Sequence, residues 1–283
     1  MNTIRILKIG GGAGIDPTPA LADAAGRVQA GERWVVVHGA SDAANTLSRQ
    51  MGIVPQTLTT PGGHSSRYTN AQTLEIFCAA AGQVNARVTA TLCAAGAAAV
   101  GLCGVSVLRA ERKTAIRALV DGRQVLIRDD FSGTLQSAER RPLEALLEAG
   151  CMPVISPIAM GGEGERLNVD GDLGAAMIAA ALGASALVIL SNVPGLLRDV
   201  SDEHSLIRGF TLAELPHFGS FALGRMKKKV LAAERALQGG VARVMLADAR
   251  TDAPLTAALA GAGTHITQPH VTHQSVSDSE AGR

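Results

Sequence analysis

Short apolar runs ending at glycine, each followed by a segment of helical spacing, recur along this chain and leave few folds open to it. Residues 4–9 run into Gly10-Gly11-Gly12, and residues 34–38 into Gly39. Residues 97–102, 151–160, 186–191 and 241–247 are further apolar runs. Between them, residues 17–29 place Leu21, Ala24, Ala25 and Val28 on one helical face and stop at Gly31. Residues 42–51, 70–81, 84–95, 142–149, 172–182 and 223–239 also read as helices. A strand that is apolar at successive positions turns side chains to both faces of its sheet, so both faces need cover. The alternation therefore predicts an α/β fold, a three-layer αβα sandwich with a mainly parallel central sheet. Ligands of such sheets bind beyond the carboxyl ends of the strands, where these glycines fall.

Residues 107–127 alternate about a turn at Asp121-Gly122, which reads as a hairpin. Residues 59–69 read as a polar loop, and the polar, unpatterned tail 268–283 as disordered. Aromatic residues make up 2% of the chain, so the core has to come from Ala, Val, Leu and Ile. A net charge of +1 gives no global pull toward nucleic acid or membrane. Segments 88–108 and 173–197 are uncharged, but glycines interrupt both, and a helix followed by a buried strand explains each better than a membrane span. No charged start leads into a long apolar stretch, so no signal peptide is expected and the cytoplasm is the expected location. Cys78, Cys93, Cys103 and Cys151 form no C-x-x-C pair and have no zinc-like spacing. They read as small buried residues in a reducing compartment, with no metal site.

Four clusters carry chemistry. Lys8-Ile9-Gly10-Gly11-Gly12 and His38-Gly39-Ala40-Ser41 lie at strand ends, where glycine lets backbone N–H groups approach an anion. The helix that follows each adds its dipole, and Lys8 adds a point charge. Both loops read equally as bare turns, and they match neither the P-loop nor the dinucleotide-binding glycine pattern. Asn168-Val169-Asp170-Gly171-Asp172 opens a helix, either as a cap with dipole-favoured acids or as part of a site. Gly224-Arg225-Met226-Lys227-Lys228-Lys229 is either a solvated basic turn or a source of cations.

In their order, LKIGG, VHGA, N-x-D-x-D, SNVPGLL and G-x-M-x-x-K resemble the amino acid kinase family over residues 1–267, nearest its acetylglutamate kinase branch. The stretches PGGHSSRYTNAQTLEIF and GLCGVSVLRAERKTAIR resemble the members of lysine biosynthesis, which act on 2-aminoadipate attached to a small acidic amino-group carrier protein. The resemblance implies two lobes. Residues 1–166 would bind the N-blocked acidic amino acid and carry a basic hairpin at about 107–128. Residues 167–267 would bind the nucleotide. It also implies ATP with Mg²⁺, phosphorylation of a side-chain carboxylate to an acyl phosphate, and a homodimer. N-acetylglutamate kinase of arginine biosynthesis is the alternative, or one enzyme serving both pathways. A non-catalytic nucleotide or amino acid sensor is a third reading, against which Lys8, Asp172 and Lys229 together argue.

By the same resemblance, Lys8 and Lys229 match the lysines that stabilise the transferring phosphoryl group, and Asp172 the carboxylate that organises them. Gly10, Gly11 and the Gly39, Ala40, Ser41 loop match the backbone donors around the γ-phosphate and substrate. Arg67 matches the arginine on the substrate's α-side carboxyl, and Asn168 a contact to its amide. Asn192, Val193, Pro194, Gly195, Leu196 and Leu197, with Phe221, Ala222 and Leu223, match the nucleotide site. Ala40 replaces a usual glycine, and Asn192 a frequent aspartate. In the hairpin, Arg109, Arg112, Lys113, Arg117, Arg123 and Arg128 are opposed only by Glu111 and Asp121. That strip suits docking of an acidic partner, and reads equally as edge-protecting charge. A carboxylate nucleophile is already ionised at pH 7, so no general base is required. Lysines and glycines, rather than a Ser/His/Asp set, agree with that.

Overall fold

Trp34, Val35, Val36 and Val37 are all fully buried, as only a strand covered on both faces allows. The structure, a computed structural model, describes residues 3–269 apart from 13, 15, 64, 121 and 122. Its strands are β1 (Ile4–Ile9), β2 (Arg33–His38), β3 (Thr57–Thr59), β4 (Ser65–Arg67), β5 (Ala99–Leu102), β6 (Leu108–Arg112), β7 (Ile116–Val120) and β8 (Arg123–Ile127). They continue as β9 (Gly133–Ala138), β10 (Met152–Ile155), β11 (Ile158–Met160), β12 (Arg166–Asn168), β13 (Ala186–Ser191), β14 (Gly209–Thr211), β15 (Arg243–Asp248) and β16 (Thr264–Thr267). The helices are α1 (Thr18–Gln29), α2 (Ser41–Gln50), α3 (Ala71–Ala94), α4 (Arg141–Glu148), α5 (Gly171–Ala181), α6 (Leu215–Phe218), α7 (Met226–Gln238) and α8 (Pro254–Leu259).

The central sheet has the order β14-β16-β15-β13-β1-β2-β10-β5. It is parallel from β15 to β5, while β16 runs antiparallel to β15. Alternate side chains feed two cores. Ile6, Val35 and Val37 pack with Ala175 and Ile178 of α5 and Ala232 and Ala233 of α7. Leu7, Trp34 and Val36 pack with Leu21 and Ala24 of α1, Leu92 of α3 and Leu255 of α8. This is the expected αβα sandwich, with a core of small aliphatic residues. β1 lies between β2 and β13, so the strand order reverses about it. A crevice opens at the carboxyl end of a strand in that position, and β1 ends there at Lys8 and Ile9.

Several elements differ from expectation. α3 is one continuous helix from Ala71 to Ala94, because Gly82, exposed on its surface, stays helical instead of ending it. The polar loop contains β4, which pairs antiparallel with β3, a strand that ends at the loop's first residue, Thr59. The hairpin foreseen over residues 107–127 is confined to β7–β8, and its proposed turn at Asp121-Gly122 lies outside the described residues. β6 leaves it for a second sheet, β12-β11-β6-β9, whereas β7 and β8 join a third, β4-β3-β7-β8. The apolar run 151–160 breaks at Ser156 and Pro157 into β10 of the central sheet and β11 of the second. Gln268, foreseen as tail, donates its side-chain amide to the carbonyls of Leu237 and Val241; residues 270–283 lie outside the described residues. The cysteines are not deeply buried as expected: Cys93 and Cys103 are exposed, Cys78 and Cys151 half-buried, and all four are free. Among the described residues no helix is long and apolar enough to cross a membrane.

Candidate active site

The two glycine loops cross in direct contact at the carboxyl ends of β1 and β2. A Cβ on Gly11 would overlap the backbone of Gly39 and Ala40, and one on Gly39 would overlap that of Gly11. Gly39 N donates to Ile9 O (3.0 Å) and Asp42 N to Gly11 O (2.8 Å), which locks the crossing. The N-terminus of α2 begins at the crossing, where the first N–H groups of a helix have no intrahelical acceptor. The Ala40 methyl belongs to a small apolar cluster with Ala44, Phe77, Ala80 and Ile158. Alanine is therefore accommodated on the side away from Gly11, and its N–H remains in the loop.

Beside the crossing, Asp172 in the first turn of α5 joins two lysines from distant parts of the chain. Lys8 Nζ lies 2.6 Å from Oδ1, and Lys229 Nζ, from α7, lies 3.0 Å from Oδ2. Asp170 caps α5 through the N–H groups of Asp172 and Leu173 and pairs with Lys228 at 3.3 Å. Burial alone would raise the Asp172 carboxyl, but the charges of Lys8 and Lys229 outweigh it and hold the group well below the ordinary carboxylate range. Burial lowers Lys229; the Asp172 charge opposes this, and that of Lys8 adds to it. His38 is pushed down to about 4, mainly by burial, against its bond to Gly39 O and with the Lys8 charge adding. It is neutral at pH 7. Asn85 Nδ2 lies 3.2 Å from His38 Nε2, so the proton belongs on Nδ1, which donates to Gly39 O (3.2 Å).

These groups open into a cleft of about 1750 Å³. Lys8, Arg49, Arg67, Lys113, Arg117, Arg225, Lys227, Lys228, Lys229 and Arg235 line it, against only the carboxylates of Asp170 and Asp172 among the described residues. On a nearly neutral protein this is a concentrated positive field that suits phosphates and carboxylates. Gly10, Gly11, Gly39, Ala40, Ser41, Arg67 and Asn168 line one part of the cleft wall. Asn192, Val193, Gly195, Leu196, Leu197, Phe221 and Leu223 line another. Pro194 and Ala222 are not among the lining residues, and Ala222 is buried in the core.

The basic strip does not form one surface. Arg109 donates to the carbonyls of Val105 and Leu108. Arg112 donates to Asp130 O, and its guanidinium lies 3.7 Å from the centroid of Phe131. Lys113 and Arg117 are exposed and line the cleft.

Several residues escaped the sequence reading. Arg67 Nη2 donates to Ser41 O (2.9 Å) and to Asn45 Oδ1 (2.5 Å). Thr264 Oγ1 accepts from Leu196 N (2.9 Å) and donates to Ile207 O (2.6 Å), which fixes the loop that follows β13. The hydroxyls of Ser132 and Ser191, both cleft-lining residues, are buried with no hydrogen-bond partner among the described residues. Asn45 and Thr264 carry no sequence signal, since each acts through a contact made only in the fold.

Residues 3–248 match the amino acid kinase family. The chain is 44% identical over 264 residues to the [LysW]-aminoadipate kinase of Deinococcus radiodurans, covering 92% of this chain and 90% of that one. It is 42% identical over 266 residues to the protein of the same name from Thermus thermophilus, covering 92% and 99%. Among solved structures, the N-acetylglutamate synthase of Neisseria gonorrhoeae complexed with coenzyme A and N-acetyl-glutamate superposes with a TM-score of 0.77 at 26% identity. That alignment covers 95% of this chain and 60% of the synthase. With a family match across most of its length and relatives above 40% identity, the chain belongs to the amino acid kinase family.

Proposed function

We propose that this protein transfers the γ-phosphoryl group of ATP to the side-chain carboxylate of 2-aminoadipate, whose amino group is held by a small acidic carrier protein, in lysine biosynthesis. The observation that carries the reading is the Lys8–Asp172–Lys229 arrangement beside the crossed glycine loops. The names of the two bacterial relatives support the choice of acceptor.

The acceptor carboxylate is already ionised. One of its oxygens attacks Pγ, the bond from Pγ to the β-phosphate oxygen breaks, and ADP leaves with that electron pair. The protein's work is positioning and charge stabilisation. Lys8 and Lys229 place positive charge beside the phosphoryl oxygens, and Asp172 holds both ammonium groups in place. The loop N–H groups of Gly11, Ala40 and Ser41 donate to oxygens in transfer, while that of Gly39 is held by Ile9 O and fixes the loop. Arg67 and Asn168 hold the α-side of the acceptor. Asn192, Val193, Gly195, Leu196, Leu197, Phe221 and Leu223 hold the nucleotide, and Pro194 and Ala222 do not line the cleft. We assign the acceptor lobe to residues 1–166, joined at the cleft by Asn168 from the end of β12, and the nucleotide lobe to residues 167–267. The donor set is rich in lysine and suits phosphates. Among the described residues its only carboxylates, Asp170 and Asp172, are engaged by Lys8, Lys228 and Lys229, so Mg²⁺ would be held by the nucleotide, where it would neutralise phosphate charge. Carrier docking rests on Lys113 and Arg117, since Arg109 and Arg112 are committed within the fold. The resemblance supports a homodimer through the first lobe, and the biosynthetic role supports a cytoplasmic location.

The test is acyl-phosphate formation trapped as the hydroxamate. Carrier-linked 2-aminoadipate, N-acetyl-2-aminoadipate and N-acetylglutamate are compared side by side. The carrier-linked substrate is expected to be strongly preferred. Preference for N-acetylglutamate would move the protein to arginine biosynthesis, and no product from any of the three would defeat the kinase reading.

A further inference from the structure

The segment carrying Arg67 and the strand carrying Asn168 meet at a buried acid that has no assigned part in the proposed chemistry. Asp130 has no exposed surface. Its Oδ2 accepts from Thr69 N (2.8 Å) and its Oδ1 from Ser132 N (2.7 Å). Around it, Phe131 N donates to Thr69 O (2.7 Å) and Asn168 N to Phe131 O (2.9 Å). The Asn168 side chain donates from Nδ2 to Thr69 Oγ1 (3.0 Å), and that hydroxyl donates to Arg67 O (3.1 Å). From the other side, Arg112 Nε donates to Asp130 O (2.9 Å).

Burying a carboxylate is costly, and the cost is offset only by well-placed donors. An apolar side chain of similar size would fill this space, but it could not accept two backbone N–H groups from segments 61 and two residues away in sequence. We infer that Asp130 is a positioning residue for the acceptor half of the cleft. Through Thr69 it sets the place of the Asn168 amide and of the backbone that carries Arg67. The identity of the acceptor rests on the function proposed above; the clamp does not.

Two substitutions separate positioning from general packing. Asp130→Asn turns one accepting oxygen into an amide donor that faces a backbone N–H, and so breaks half the clamp. Thr69→Val removes the acceptor of Asn168 Nδ2 but keeps the N–H that reaches Asp130, and Thr69→Ser keeps the hydroxyl. Steady-state kinetics vary acceptor and ATP separately, with the Tm of each variant recorded. The acceptor KM is expected to rise about tenfold in D130N and T69V while the ATP KM stays within about twofold, and T69S should restore the acceptor KM. An unchanged acceptor KM in T69V, or equal rises for both substrates, overturns the inference. Should D130N fail to fold, the T69V and T69S pair decides. If the wild-type enzyme shows no kinase activity, the proposed function falls, and the clamp is then judged by amide hydrogen exchange. D130N, which breaks a bond to Thr69 N or Ser132 N, must increase exchange over residues 67–70 and 130–132, and unchanged exchange there refutes the inference.

Discussion

Asp172 offers one carboxylate oxygen to each of two lysines, and the three side chains form a charged unit largely shielded from water. Their worth in catalysis is that of fixed donors aimed where charge develops. Lys8→Ala and Lys229→Ala should therefore each lower kcat by about 10²-fold or more in the hydroxamate assay, the usual effect of losing one such donor. His38 makes a different prediction. Its folded pKa is about 4 against an ordinary 6.5. Above pH 6.5 the ring is neutral in both states, and its contribution to stability is fully present. As pH falls toward 4, the unfolded chain takes up a proton that the folded protein refuses, so this stability is lost. By pH 5 the loss should be about 2 kcal/mol. Urea unfolding at pH 7 and pH 5 should show it, and His38→Asn should flatten the difference.

At the scale of elements, α3 shows how much a single glycine signals. Read locally, Gly82 marks a boundary between two helices. In the fold, the helix runs through it because Phe77, Ala80, Ala81, Val88 and Leu92 bury continuous faces on either side. A Cβ at Gly82 would meet nothing within 4 Å. Gly82→Ala should therefore stabilise the protein by about 0.5–1 kcal/mol, through the lower entropy of the unfolded chain, with no loss of activity. Denaturant midpoints at constant m-value would check it. The short strands β3, β4, β11 and β12 had no comparable signal. Three residues do not establish an alternation, although β3 pairs with nearby β4 and β11 with nearby β12; β11 lay undivided within the apolar run 151–160.

For the whole molecule, a net charge of +1 conceals a cleft crowded with cations. Long-range attraction of an acidic carrier should weaken as salt screens it. KM for the carrier-linked substrate should rise with ionic strength more steeply than KM for a small N-acyl acceptor. Reversing Lys113 and Arg117 together to Glu should raise the carrier KM about tenfold or more and leave the small acceptor nearly unaffected. Equal effects on both substrates would remove docking from this rim. Arg112 belongs outside that test, because its stacking on Phe131 and its bond to Asp130 make it part of the scaffold.

The buried strands, the helices between them and the chemistry-bearing loops were legible in the sequence. Continuous apolar runs such as WVVV permit little besides a doubly covered strand, and Lys8, Asp172 and Lys229 lie in recognisable local patterns. Tertiary structure alone decided which distant segments meet. It divided the basic strip between two sheets and brought Thr69, Asp130 and Asn168 into one junction, whereas the meeting of Lys8 and Lys229 on Asp172 was implied by the family resemblance. Local sequence records the periodicity of burial, because neighbouring residues share an element. Pairings between remote elements depend on how sheets and helices close around a common core, and no single stretch of chain encodes that.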